Sequence, residues 1–185
     1  MTRPKTDRSE HYTYEDYLTW DGPERWELID GVPYLLASPT AEHQEISARL
    51  EHALQTHLRD GECRMYHAPM DLRFEEDLQT ERFVQPDIFV MCGTYTRGAS
   101  VTGVPRLIVE ILSPSSVSND LVRKLNLYQR AGVPEYWVVD PAVRTIHVYH
   151  HDGTFLRWIG EYAQGTHLPS VVFEGLQIEI RDVFA

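Results

Sequence analysis

Residues 83–130 read FVQPDIFVMCGTYTRGASVTGVPRLIVEILSPSSVSNDLVRKLNLYQR. Two apolar runs, 83–92 and 106–112, are short and rich in Val, Ile, Leu and Phe, which predicts buried strands. One carboxylate interrupts each run, Asp87 in the first and Glu110 in the second. Past the breaker Ser113-Pro114-Ser115-Ser116, residues 119–131 have helical spacing and stop at Gly132 and Pro134. Lys124 lies on that helix, on the face shared by Asp120 and Tyr128. Ionised groups are rarely buried alone, because desolvation costs several kcal/mol per ion. Two acids inside core strands therefore need a partner, and a divalent cation is one candidate.

Strand alternation along 84–91 would set Gln85, Asp87 and Phe89 on one face and Val84, Pro86, Ile88 and Val90 on the other. In the next strand Glu110 shares a face with Ile108 and Leu112. Were the two strands neighbours in register, both carboxylates would meet at one spot, where like charges about 4 Å apart repel by roughly 4 kcal/mol at an effective dielectric of 20. Mg²⁺ suits one or two carboxylates completed by water and phosphate oxygens, and Mn²⁺ accepts the same hard set. A lysine beside such a site can orient an attacking water or stabilise charge on a scissile phosphate. Simpler readings stay open. Asp87 could close a strand turn after Pro86, and Glu110 could form a buried ion pair with Lys124 or Arg106. Asp120 and Lys124 could be an exposed i,i+4 pair of small energy.

Working outward, residues 1–11 are polar and without period, an expected disordered extension ahead of one domain over residues 12–185. Thr13 is set to cap a short helix carrying Tyr17, Leu18 and Trp20. WELI, the turn Asp30-Gly31 and VPYLL predict a β-hairpin with Glu27 as the acid of its first strand, a position usually solvated. Ser38-Pro39-Thr40-Ala41-Glu42 opens a helix whose Ile46, Leu50, Ala53, Leu54, His57 and Leu58 form one stripe ending before Gly61. His43, His52 and His57 are expected at its surface or boundary, and no HExxH spacing supports zinc-peptidase chemistry. Residues 63–74 predict a strand, 75–81 an acidic loop, 135–139 a buried strand, and the remainder hairpins and further β structure. The order is helix, three strands, helix, strand, a mixed α/β domain with a central sheet covered by two helices.

The 185 residues carry a net charge of −11, which argues against a protein that coats nucleic acid non-specifically. Between Arg97 and Arg130, however, five basic residues face only two acids, Glu110 and Asp120. Cys63 and Cys92 form no CxxC pair, so neither a disulfide framework nor a zinc knuckle is expected, and a cytoplasmic location is the default. No apolar run is long enough for a membrane span, and the polar N-terminus lacks a signal-peptide core.

QPDIFV, VEILSPSS and NDLVRKLNLYQRAGVPEYWVVDP together resemble the restriction-endonuclease-like family of the PD-(D/E)XK nuclease superfamily, as do the WELIDGVPY hairpin and the SPTAEHQEISARL helix. The resemblance implies a restriction-endonuclease-like core with flanking β-hairpins. It further implies a Mg²⁺- or Mn²⁺-dependent endonuclease acting on DNA, with Asp87 and Glu110 as metal ligands and Lys124 as the third catalytic residue. Pro86-Asp87 matches the PD and Glu110 the (D/E). Leu112 stands where the motif's lysine belongs, and Lys124 resembles a lysine migrated to the helix. Glu27 matches the acid of the family's hairpin, an additional metal ligand or water-positioning group. Arg97 and Arg123 are the candidate substrate contacts, Arg97 in the 93–105 connection with Tyr95. A homodimer would let one site act on each strand; neither an organic cofactor nor a membrane partner is expected. Two rivals remain: a catalytically silent binder of nucleic acid or protein on the same fold, and a hydrolase of another substrate, for which no GxSxG elbow is present.

Overall fold

The computed structural model describes residues 10–113 and 119–185. The first nine residues of the expected extension and the 114–116 part of the breaker lie outside the described residues, as does the side chain of Asp120 with its expected pairing to Lys124. The chain enters through α1 (Tyr14–Tyr17), capped reciprocally by Thr13 and Asp16. β1 (Trp26–Ile29) and β2 (Val32–Leu35) follow, joined by Asp30 and Gly31 at φ 51° and 75°, the two positive values that a tight two-residue turn requires. α2 (Ala41–Leu58) begins at Thr40, whose hydroxyl accepts the His43 N–H, and it buries Ile46, Leu50 and Leu54 about one turn apart.

Two expected strands each divide. Residues 63–74 give β3 (Arg64–His67) and β4 (Leu72–Arg73), and residues 83–92 give β5 (Phe83–Val84) and β6 (Ile88–Met91). Pro69 and Pro86 stand at the divisions; proline has no N–H for a ladder, and at each the chain passes from one sheet to the other. Gln85 and Asp87 therefore belong to a crossing segment rather than to one continuous strand. β7 (Thr96–Arg97) and β8 (Val101–Thr102) lie in the glycine-rich connection. β9 (Leu107–Ile111), α3 (Asn119–Ala131) and β10 (Glu135–Asp140) come next, with Gly132 at φ 74° ending the helix. β11 (Thr145–His151), β12 (Leu156–Tyr162), β13 (His167–Pro169), β14 (Gln177–Glu179) and α4 (Ile180–Val183) complete the chain.

One sheet runs β2-β1-β5-β4-β8-β7 and the other β12-β11-β10-β9-β6-β3, while β13 and β14 pair separately. In the second sheet β6 is antiparallel to both β3 and β9, and β10 lies parallel to β9 by way of the α3 crossover. The expected helix, three strands, helix, strand order is thus α2, β3, β6, β9, α3, β10. One apolar cluster joins α2 to Trp137 and Val139 of β10, and another joins α3 to Tyr136 and Val138. Burial on both faces explains why β10 is continuously apolar.

Cys63 and Cys92 form a disulfide, contrary to the expectation from spacing. Arg64 lies opposite Met91 across β3 and β6, so the next pair outward is Cys63 and Cys92. Register alone brings them together. Among the described residues no helix is long and apolar enough to cross a membrane.

Leu50 is fully buried between α2 and the second sheet. Leu50→Ala is expected to lower the unfolding free energy by about 2–5 kcal/mol in urea denaturation; a loss of only a few tenths would contradict this packing.

Candidate active site

The β6–β9 register unites the two acids of the motif. Ile88 is opposite Val109, so one residue further out Asp87 faces Glu110 on the same side of the sheet. The Ile111 N–H donates to Asp87 Oδ2 at 2.7 Å and fixes that carboxylate across the strand ends. From the overlying helix, Lys124 Nζ donates to Glu110 Oε1 and to Glu27 Oε1, each at 3.0 Å. Tyr128, one turn further on, donates to Glu110 Oε1 at 2.5 Å. Leu112, at the motif's usual lysine position, packs instead with the apolar cluster beneath α3.

Glu27 departs from the expectation of a solvated hairpin acid, since it is only 1% exposed. β5 covers β1 on the side away from β2, and the Gln85 N–H donates to Glu27 Oε1 at 2.8 Å. The crossing segment thus presents Gln85 to Glu27 and, two residues later, Asp87 to Glu110. Gln85 is fixed in turn by Arg25, whose Nε donates to its side-chain oxygen at 2.9 Å, and by Asp71, which accepts from its Nε2 at 2.7 Å.

Three carboxylates, Glu27, Asp87 and Glu110, share the site with the Lys124 ammonium, which contacts Glu27 and Glu110 directly. Burial pushes the Glu110 carboxyl up to about 8; Lys124 opposes that rise, the charges of Asp87 and Glu27 add to it, and the Tyr128 hydroxyl opposes it. Burial also drives the Tyr128 hydroxyl well above its ordinary value, with the Glu110 charge adding to the effect.

His43 joins the site unannounced. Its Nε2 lies 3.2 Å from Asp87 Oδ2, and its Nδ1 is buried with no hydrogen-bond partner among the described residues. Burial favours the neutral ring, but the hydrogen bond and charge of Asp87, with the Ile111 carbonyl, outweigh it and raise the pKa. A signal was present in the sequence: 43, 46, 50 and 54 share one helical face, so His43 points with the core stripe toward the sheet.

The acids and Lys124 open onto a cleft of about 430 Å³ that Arg25, Tyr34 and Arg123 also line. Arg123 rests its guanidinium 4.4 Å from the Tyr34 ring centre. Arg97 lies apart from this cleft, exposed on β7, with β5, β4 and β8 between its strand and β1. Tyr95, near it in sequence, shares a hydrogen bond with Tyr66 at 3.1 Å. Among the described residues no three His, Cys, Asp or Glu side chains converge as a ready metal cage. Two facing carboxylates, Asp87 and Glu110, on an open cleft fit a hard cation that keeps water and substrate oxygens in its shell. They do not fit a four-ligand zinc site.

A sheet crossed over by a helix, with paired acids at the ends of adjacent strands and a lysine over them, defines a restriction-endonuclease-like domain. The chain belongs to the Uma2 family, described as "Putative restriction endonuclease", which it matches over residues 14–181. An uncharacterized protein of Synechocystis sp., slr1290, is 30% identical over 148 residues, covering 77% of this chain and 76% of that protein. The crystal structure of a "putative nuclease belonging to DUF820" from Anabaena variabilis is similar with a TM-score of 0.75 at 18% identity, covering 94% of this chain and 97% of that one. At that identity the likeness establishes the fold.

The raised Glu110 pKa fixes the sign of a pH effect. In the folded state the group binds its proton more tightly than when unfolded, so its contribution is fully present below about 4.5 and lost as pH rises through about 8. The raised His43 acts in the same direction. Without divalent cations, the melting temperature is expected to fall between about pH 5 and about pH 8. Glu110→Gln should flatten that fall, and an equally steep fall in the variant would remove Glu110 as its source.

Proposed function

We propose that this protein is a Mg²⁺- or Mn²⁺-dependent DNA endonuclease that hydrolyses phosphodiester bonds. The observation that carries the reading is the convergence of Asp87, Glu110 and Lys124 on one open cleft, with both acids at facing strand ends. Membership of a family described as "Putative restriction endonuclease" supports the same chemistry.

Asp87 and Glu110 would hold the cation, which when bound would neutralise charge on the phosphate and make a bound water more acidic. The Ile111 N–H orients Asp87 from one side and His43 from another. Lys124 would orient the attacking water or meet the charge that develops on the phosphate oxygens. Glu27 and Tyr128 act as positioning residues, one holding the ammonium and the other the Glu110 carboxylate; Glu27 also remains a candidate additional ligand. Water adds to phosphorus as the ester oxygen leaves, giving a phosphomonoester and a free hydroxyl end. Arg123 would meet the backbone at the cleft, and Arg97 would touch DNA further away. A homodimer would set one such site on each strand, and the cytoplasm is the proposed setting.

One observation favours a second reading, a catalytically silent nucleic-acid- or protein-binding member of the fold. Lys124 is buried and paired with two carboxylates, as in a purely structural ion network.

Supercoiled plasmid incubated with Mn²⁺ separates the two. Nicking by the wild type should drop at least about 100-fold in Asp87→Asn and in Lys124→Met. Adding Leu112→Lys to Lys124→Met should restore part of it, because the ammonium would return to the same acids from the strand. A wild type that binds DNA in a salt-sensitive way yet never nicks it would favour the silent reading.

A further inference from the structure

We propose that the outer stripe of α3 is a phosphate track leading duplex DNA away from the acid cleft, and that Asp30 occupies its far end as an internal stand-in for phosphate. The inference rests on the nuclease reading and extends it to residues outside the reacting centre.

A groove of about 560 Å³ runs between the β1–β2 hairpin and α3, lined among others by Asp30, Tyr34, Arg123, Asn126 and Arg130. Tyr34 and Arg123 line the acid cleft as well, so the two hollows adjoin. Residues 123, 126 and 130 follow the i, i+3, i+7 spacing of one helix face, whereas Lys124 and Tyr128 turn inward to Glu110. One helix thus serves two neighbouring hollows with opposite faces. Seven residues at about 1.5 Å each separate Arg123 from Arg130 by roughly 10 Å. At about 3.4 Å of axial rise per nucleotide, that is close to three steps along one DNA strand.

Arg130 already shows the contact such a track would make. Its Nη2 donates to both carboxylate oxygens of Asp30, at 2.9 and 2.8 Å, with both side chains about half exposed. Guanidinium groups bind phosphate through the same kind of charge-assisted hydrogen bonds. An exposed ion pair contributes little to stability, so exchanging the Asp30 carboxylate for a backbone phosphate would cost little. The turn does not demand a carboxylate either: Asp30 sits at φ 51°, which Asn adopts as readily. In a chain of net charge −11, general attraction to DNA is weak, and a few placed cations must supply the grip.

The test is the binding of the full chain to a short fluorescent DNA duplex in EDTA, followed by anisotropy across a salt series, with plasmid nicking measured in parallel. Arg130→Gln should weaken binding and make the salt slope shallower by about one. Asp30→Asn should tighten binding severalfold, because it releases Arg130 and removes a negative charge. Opposite signs from the two partners of one ion pair cannot come from damage to the fold. Variants that both bind like the wild type, or both bind more weakly, overturn the track; if the wild type still nicks plasmid, the nuclease reading survives. Wild-type protein that neither binds nor nicks overturns both. Opposite shifts without nicking uphold the track on a silent binder.

Discussion

The Lys124 ammonium, buried between Glu27 and Glu110, is the interaction on which the arrangement of this domain turns. Its three participants come from β1 of one sheet, β9 of the other and the helix α3. A buried charge stripped of its partner is far more costly than one never buried, so these elements are held to a single relative placement. The Tyr128 hydroxyl and the Gln85 N–H donate to the same Oε1 atoms of Glu110 and Glu27 that Lys124 holds. The crossing at Gln85-Pro86-Asp87 gains its meaning here. It moves the chain from the first sheet to the second while delivering an N–H to Glu27 and a carboxylate beside Glu110.

In the proposed nuclease, the same cluster would let a lysine on α3 serve where the motif's strand lysine is absent. An ammonium is a compact charge on a flexible stem, and its field does not depend on which backbone carries it. Leu112 then packs with the apolar cluster under α3. The high Glu110 pKa comes first from burial, with the Asp87 and Glu27 charges adding to it against the pull of Lys124. The cleft onto which these acids open also carries Arg25 and Arg123, so carboxylates and guanidinium groups line it together.

Much of the architecture was readable from local pattern. The Thr13 and Thr40 caps, the Asp30-Gly31 turn, the α2 stripe, the α3 boundaries and the buried β10 all follow from spacing and terminator residues acting over a few positions. Asp87 and Glu110 were legible as well, because ionisable groups in apolar surroundings contrast with their neighbours, and Lys124 was legible from its helix face and the family resemblance. The readings that failed depend on contacts distant in the chain. Glu27 looks like a hairpin acid until β5 pairs beside it. His43 is the boundary residue expected, but its contact with Asp87 forms only when α2 docks against the ends of β6 and β9. Cys63 and Cys92 meet only through the β3–β6 register, and the division at Pro86 shows only once β5 and β6 fall in different sheets.

By itself, the sequence determined the kind and order of the elements and that Asp87 and Glu110 would need company in the core. Periodicity, caps, breakers and desolvation are properties of short segments, and they operate wherever the segment is placed. Tertiary structure decided who the company would be. It gave Lys124 to Glu27 as well as Glu110, His43 to Asp87, and Arg130 to Asp30 across 100 residues of chain. Hydrogen bonds and ion pairs act within a few ångströms, so their partners exist only after register and helix docking have brought remote segments together.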